Sequence, residues 1–232
     1  MSEVQSPVQD LSLKNLSLKG FQEFNRDVYR VQNDRNYSNP QMVSRMHRYS
    51  TRVQKAVRKD DTEHLHYWLC MAFSWSLALG NRFHLDLDDE MWKRFPGICP
   101  YCKDTRCSCH KQRPAERSRD LTAAIDRPKT LRGYQQMFAV IYGHNTLRDA
   151  AEHLNEEIGE VDEAVEHYLG THNPVLFEEI VIELVDAVTN MFAVATCMKL
   201  DLAVETEKVF KNGCPKCFDI PCKCGYTTAK TM

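Results

Sequence analysis

No long apolar run, no excess of one charge and no secretory leader stands out in these 232 residues, and each absence narrows what the chain can be. Thirty Lys and Arg against thirty-two Asp and Glu leave a formal charge of −2, so nothing global pulls the chain toward nucleic acid or a membrane. Any such contact has to come from a local patch. No uninterrupted apolar stretch approaches the roughly 20 residues that span a bilayer, and no membrane partner is expected. The opening MSEVQSPVQD lacks the basic start and apolar core of a signal peptide, so a cytoplasmic chain is expected. No segments read as paired strands, and no side chain suggests a covalent nucleophile. What remains is an ordinary soluble composition, 43% apolar, long enough to bury a sizeable core.

Ten cysteines are present, and eight of them fall into two tight clusters. CPYCKDTRCSC holds Cys99, Cys102, Cys107 and Cys109, and CPKCFDIPCKC holds Cys214, Cys217, Cys222 and Cys224. The shared C-x2-C-x4-C-x-C spacing supplies four thiolates per cluster, enough to close one tetrahedral structural zinc site each. His110 is an alternative ligand, and pairs from the two clusters combining into shared sites is an alternative arrangement. Lys103, Arg106, Lys111, Lys216 and Lys223 nearby leave open a knuckle that grips nucleic acid or a protein partner. Cys70 and Cys197 lie in apolar segments and read as core.

Upstream of the clusters the text repeats as well. Leu85, Asp86, Leu87 and Phe95 match Leu200, Asp201, Leu202 and Phe210; SLKGFQEF from Ser17 parallels TLRGYQQM from Thr130. A shared start, middle and end mark an internal duplication. The expected organisation is a polar tail at 1–15, a first helical repeat with its knuckle at 16–112, a linker at 113–129, a second repeat with its knuckle at 130–226 and a tail at 227–232. The charged linker, bounded by Pro114 and Pro128, has room for one short helix.

Each repeat reads as all-α. In the second, Leu154, Ile158, Val161 and Val165 form one helix stripe, Ile180, Leu184, Ala187 and Met191 another, with GTHNP as the break between them. At about 100° per residue, Glu157 and Glu160 flank the first stripe while Glu156 and Glu163 point away from it. Glu183 and Asp186 take the equivalent flank of the second, with Glu179 and Asn190 beside them. Antiparallel packing through a short connection brings four carboxylates together at the edge of a core, an unfavourable arrangement unless hard divalent cations neutralise it. All-oxygen ligands without histidine favour Mg2+ or Mn2+. A di-iron bundle would want Glu-x-x-His pairs, which neither helix has.

LNEEIGEVDEAV followed by FEEIVIELVDAV resembles the MazG-like all-α nucleoside triphosphate pyrophosphohydrolases, marked by E-x-x-E, a spacer, then E-x-x-D; here 22 residues separate Glu160 from Glu183. The resemblance covers about residues 130 to 212. It implies that Glu157, Glu160, Glu183 and Asp186 hold magnesium against a triphosphate, that one glutamate orients the attacking water, and that the products are a monophosphate and pyrophosphate. It also implies phosphate contacts from Lys208 and Asn212, in EKVFKN; Asn190 and His153 are further candidates for substrate contact. In the first repeat Tyr49, Arg52, Trp68 and Met71 stand at the four carboxylate positions and cannot hold magnesium. Because the family works as dimers or larger assemblies, the resemblance implies a degenerate half packed on an active half as an intramolecular pseudo-dimer, with further homo-oligomerisation open.

Arg45, Arg48, Arg52, Lys55, Arg58 and Lys59 run along one side of the degenerate helix. Solvated exposure, a reach to the triphosphate of the active half, and contact with nucleic acid or a protein partner are the readings they allow. Trp68, Trp75 and Tyr49 are candidate stacking partners for a base. The competing function is a non-enzymatic zinc-containing adaptor with a vestigial acidic site.

Overall fold

The computed structural model describes residues 12–109, 111, 116–118 and 120–225. A 3-10 turn at Leu13–Asn15 precedes α1 (Leu18–Asn36), α2 (Asn39–Arg58), α3 (Thr62–Arg82), α4 (Leu87–Arg94), α5 (Leu131–Ile141), α6 (Leu147–Thr171), α7 (Pro174–Cys197) and α8 (Leu202–Phe210). Among the described residues there is no strand, so the all-α expectation holds. Each α-helix opens on a Ser, Thr, Asp or Asn whose side chain accepts a first-turn N–H. Such caps satisfy donors that the helix itself leaves without a partner.

α2, α3, α6 and α7 form a central four-helix ring, with α1 laid on α3 and α5 on α7. The α6 stripe of Leu154, Ile158, Val161 and Val165 and the α7 stripe of Ile180, Leu184, Ala187 and Met191 are all fully buried, as helical periodicity requires. Phe73 of α3 and Phe192 of α7 meet at 6.0 Å across the middle of the ring. One contiguous apolar core runs through both halves of the chain. The break after α6 comes at His172, in the left-handed region at φ 54°, rather than at Gly170, which stays inside the helix. Pro174 then starts α7.

By length and composition α7 is apolar enough to cross a membrane, with a mean hydropathy of 1.7, a property its interspersed acids hide from a search for unbroken runs. Its place at the centre of the ring accounts for that composition: it packs on α3, α4, α5 and α6.

The same polar contacts occur twice. Gln22 donates to the Leu85 carbonyl and accepts from the Leu87 N–H, and Gln135 does the same with Leu200 and Leu202. His84 and Lys199, before the two short helices, share positive φ values of 57° and 56°. Those short helices then cross over: α4 packs on α7 and α8 on α3. The cysteine segments follow the same exchange. The Cys107 N–H donates to the Ile141 carbonyl at the end of α5, and the Cys222 N–H donates to the Val28 carbonyl of α1, both at 2.7 Å. Each knuckle is therefore fastened to the first helix of the opposite half.

Among its described residues the 113–129 segment forms no helix and is pinned along its length. Ser118 and Ala124 donate to the Pro100 and Pro96 carbonyls. Arg127 pairs with Asp88 and Asp89 at 2.6 and 2.7 Å, and buried Asp88 also accepts from the Tyr134 hydroxyl. Leu13, assigned to the polar tail from sequence, is buried, and Ser12 and Lys14 bond Glu207 of α8.

A shared core predicts shared unfolding. Phe192→Ala is expected to cost about 3–5 kcal/mol and to shift both halves together. Calorimetry on the zinc-loaded protein should give one transition in wild type and variant alike.

Candidate functional site

α6 and α7 pack side by side and antiparallel, which brings their flanking acids together. Carboxylate oxygens of Glu157, Glu160 and Glu183 lie within 4.8 Å of one another. Asn190, one turn beyond Asp186, donates to Glu157 Oε1 at 3.4 Å. The other oxygen of Glu157 is buried without a hydrogen-bond partner. Burial, then the charges of Asp186, Glu160 and Glu183, pushes the Glu157 carboxyl up to about 9. Burial and Asp186, followed by Glu160, push Glu183 up to about 7. A buried orphan oxygen in a crowd of carboxylates suits a hard cation, which supplies the missing partner and the missing charge together.

Asp186 faces this group from the next turn, but its carboxylate is engaged by arginines. Arg94 of α4 grips both oxygens in a bidentate pair, and Arg117 adds a contact at 3.3 Å. Both sides of the Arg94–Asp186 pair are nearly buried. Arg117 lies 5.2 Å over the Tyr101 ring, and its Nε is buried with no hydrogen-bond partner. A smaller recess of about 250 Å³, lined by Lys93, Arg94, Arg117 and Val181 among others, adjoins these arginines.

The acids stand in a cleft of about 940 Å³ whose walls come from both halves of the chain. α6 and α7 contribute His153, Glu156, the four acids and Asn190; the other wall is Arg94, Phe95, Tyr101 and Arg117, with Cys99, Cys107 and Cys109. Glu156, placed on the outer side by helix geometry, lies at the cleft's edge. Lys208 and Asn212 do not line it. Lys208 is exposed and pairs with Glu205 at 2.7 Å, because α8 crosses to α3. The residue that matches Lys208 in the repeat, Lys93, pairs with Glu90 in the same way and sits beside Arg94. Tyr49, Trp68 and Trp75 are likewise absent from the cleft lining, and so is the basic stripe of α2.

Arg94, Arg117 and the first knuckle were not readable as site residues. The repeat, which aligns α4 with α8, is the one signal for Arg94; Arg117 lies in the linker and has none, and the crossover that delivers α4 and the knuckle is a long-range packing choice.

Each cysteine cluster closes on itself. Its four Sγ atoms lie within 4.8 Å of one another, which excludes pairs shared between clusters among the described residues. Sγ separations of 3.7 Å for Cys99–Cys109, 3.9 Å for Cys214–Cys224 and 3.8 Å for Cys217–Cys222 match the edge of a tetrahedron with metal–sulfur bonds of about 2.3 Å. The two clusters share their amide contacts: Cys102 Sγ accepts from Ser108 and Cys217 Sγ from Lys223, both at 3.4 Å. Tyr142 and Tyr29, half-buried at equal places after α5 and in α1, lean on Cys99 and Cys214; burial and then those thiols push both phenols up. His110 lies outside the described residues.

Because Glu157 titrates higher folded than unfolded, its contribution favours the fold at low pH and is lost as pH rises toward about 9. Zinc-loaded protein without added magnesium should therefore gain more thermal stability from Mg2+ at pH 8 than at pH 6. Glu157→Gln should raise the cation-free midpoint at pH 8 by about 2–5 °C and abolish the Mg2+ response; differential scanning fluorimetry reads both.

Comparison with known proteins gives no match: no family model, no curated protein and no solved structure is similar to this chain.

Proposed function

We propose that the chain is a Mg2+-dependent nucleoside triphosphate pyrophosphohydrolase of the MazG-like kind, built as an intramolecular pseudo-dimer of two copies of one helical unit. The observation that carries the reading is the convergence of Glu157, Glu160 and Glu183 at the floor of a large cleft, with Asp186 one turn away. The twice-used Gln22 and Gln135 contacts and the reciprocal docking of the knuckles support the duplication. The units of the proposal are 16–112 and 130–226, joined by 113–129; the second keeps the acids and the first has lost them. Each knuckle is proposed to hold one structural Zn2+ in a closed tetrathiolate site. Zinc thiolates need reduced cysteines, which fits a cytoplasmic chain.

In this reading Glu157, Glu160, Glu183 and Asp186 would hold Mg2+ (or Mn2+), which would supply the positive charge that lets a triphosphate approach an acidic floor. One glutamate of the cluster would orient a water and take its proton. The water oxygen bonds to phosphorus, the α–β bridging P–O bond breaks, and a nucleoside monophosphate and pyrophosphate leave. Arg94 and Arg117 stand where the triphosphate enters, and Asn190 steadies Glu157. Lys208 and Asn212, absent from the cleft lining, are given no role in this proposal.

One observation favours a second reading, a non-enzymatic adaptor. Asp186 is already neutralised by two arginines, as a purely structural acid would be. A panel of NTPs and dNTPs with Mg2+ or Mn2+, resolving monophosphate plus pyrophosphate from diphosphate plus phosphate, separates the two. Metal-dependent pyrophosphate release reduced about a hundredfold or more in Glu160→Gln is expected; a silent panel with intact fold and zinc supports the adaptor.

Elemental analysis should find two zinc ions per chain. Cys102→Ser, in the knuckle that walls the cleft, should lower zinc content and activity together, whereas Cys217→Ser should lower zinc content with a smaller effect on activity.

A further inference from the structure

We propose that Arg45, Arg48 and Arg52, set against Tyr49 and Trp68 on the α2–α3 surface, form a second binding site that takes a mononucleotide through its phosphates without a divalent cation. This surface belongs to the half that lacks the acids, and none of its residues lines the acidic cleft. The proposal does not depend on the hydrolase reading.

The three arginines recur at i, i+3 and i+7, so they share one face of α2. Each is half-buried. Arg52 stacks over the Trp68 ring at 4.3 Å and lies 5.8 Å from the Tyr49 ring, and the two rings stack on each other at 5.9 Å. Arg45 covers Tyr37 at 5.3 Å. Burial raises the Tyr49 phenol, and the charges of Arg52, Arg48 and Arg45, in that order, pull it back.

Among the described residues no carboxylate pairs with any of the three, whereas Arg82, Arg94, Arg117 and Arg127 are each bound to one. Three like charges held partly out of water beside aromatic rings repel one another, and an anion is the partner that relieves them. A guanidinium already stacked on a ring keeps its planar fork oriented, and phosphate accepts that fork with two oxygens. Stacked rings and a guanidinium plane also offer a platform that a nucleobase extends.

Position strengthens the case. Tyr49, Arg52 and Trp68 stand where the repeat pairs them with Glu157, Glu160 and Glu183. Replacing acids with an arginine and aromatics reverses the local charge, so this place on the first half can meet an anion without a cation. The three arginines span about 10 Å of helix, the reach of a single di- or triphosphate. Exposed Asp60, Asp61 and Glu63 beyond α2, and Asp162 beside His47, would repel a longer polyanion, which favours a mononucleotide over a nucleic-acid strand.

The test is calorimetric titration of ADP into zinc-loaded protein with no divalent cation added, where the acidic cleft repels the ligand. One site per chain is expected, weakened at least tenfold in Arg48→Gln/Arg52→Gln and unchanged in Glu160→Gln. Arg45→Gln/Arg48→Gln, which leaves the Arg52 stack in place, should weaken it at least threefold, so a folding defect in the first pair does not decide the matter; circular dichroism monitors both. No binding by the wild type, binding that survives both arginine pairs, loss in Glu160→Gln, or tighter binding of single-stranded RNA than of ADP would each overturn the proposal. Because no turnover is read, a failed hydrolysis assay leaves this result independent.

Discussion

Two backbone hydrogen bonds, Cys107 to Ile141 and Cys222 to Val28, hold the constraint on which the site depends. They fasten each knuckle to the opposite half of the chain, and the short helix before each knuckle has to travel with it. Without that crossover the acids of α6 and α7 would flank an open groove. With it, α4 and the first knuckle stand opposite them and turn a helix face into a cleft with an acidic floor and a basic wall. The pinned segment from Ser118 to Arg127 fixes the same geometry from behind, through Asp88 and the carbonyls of Pro96 and Pro100.

The electrostatics of the cleft follow from that packing. Glu157 and Glu183 border a fully buried stripe, so their charged forms are poorly solvated and these two carboxyls titrate high. Arg94, nearly buried, relieves part of the repulsion by gripping Asp186. Removing one partner of such a pair strands a charge in a low-dielectric place. In the proposed function a cation among the glutamates would draw Asp186 away from Arg94 and Arg117 and leave the arginines available for an anion.

How much of this was legible in the sequence depended on range. The registers of α6 and α7 were readable because a helix places residues by local angle, and the convergence of Glu157, Glu160 and Glu183 follows once two amphipathic helices pack antiparallel. The cysteine spacing likewise announced two metal-sized clusters, since four thiols within eleven residues have few ways to arrange themselves. The crossover was not legible. Nothing local distinguishes α8 packing on α7 from α8 packing on α3, so the motif match that gave Lys208 and Asn212 phosphate contacts carries no sign that α4, with Arg94, lines the cleft instead. Hydropathy misled in the other direction at α7, whose apolar character hides behind regularly spaced acids until the bundle shows it surrounded on several sides.

The most direct test of the central claim is a crystal structure with Mn2+ and a non-hydrolysable triphosphate analogue, using the manganese anomalous signal to locate the ions. The account predicts anomalous peaks among Glu157, Glu160 and Glu183, Asp186 turned from Arg94 toward metal, and the triphosphate between these ions and the two arginines. Manganese absent from the acids, with Asp186 still gripped by Arg94 and Arg117, would contradict it.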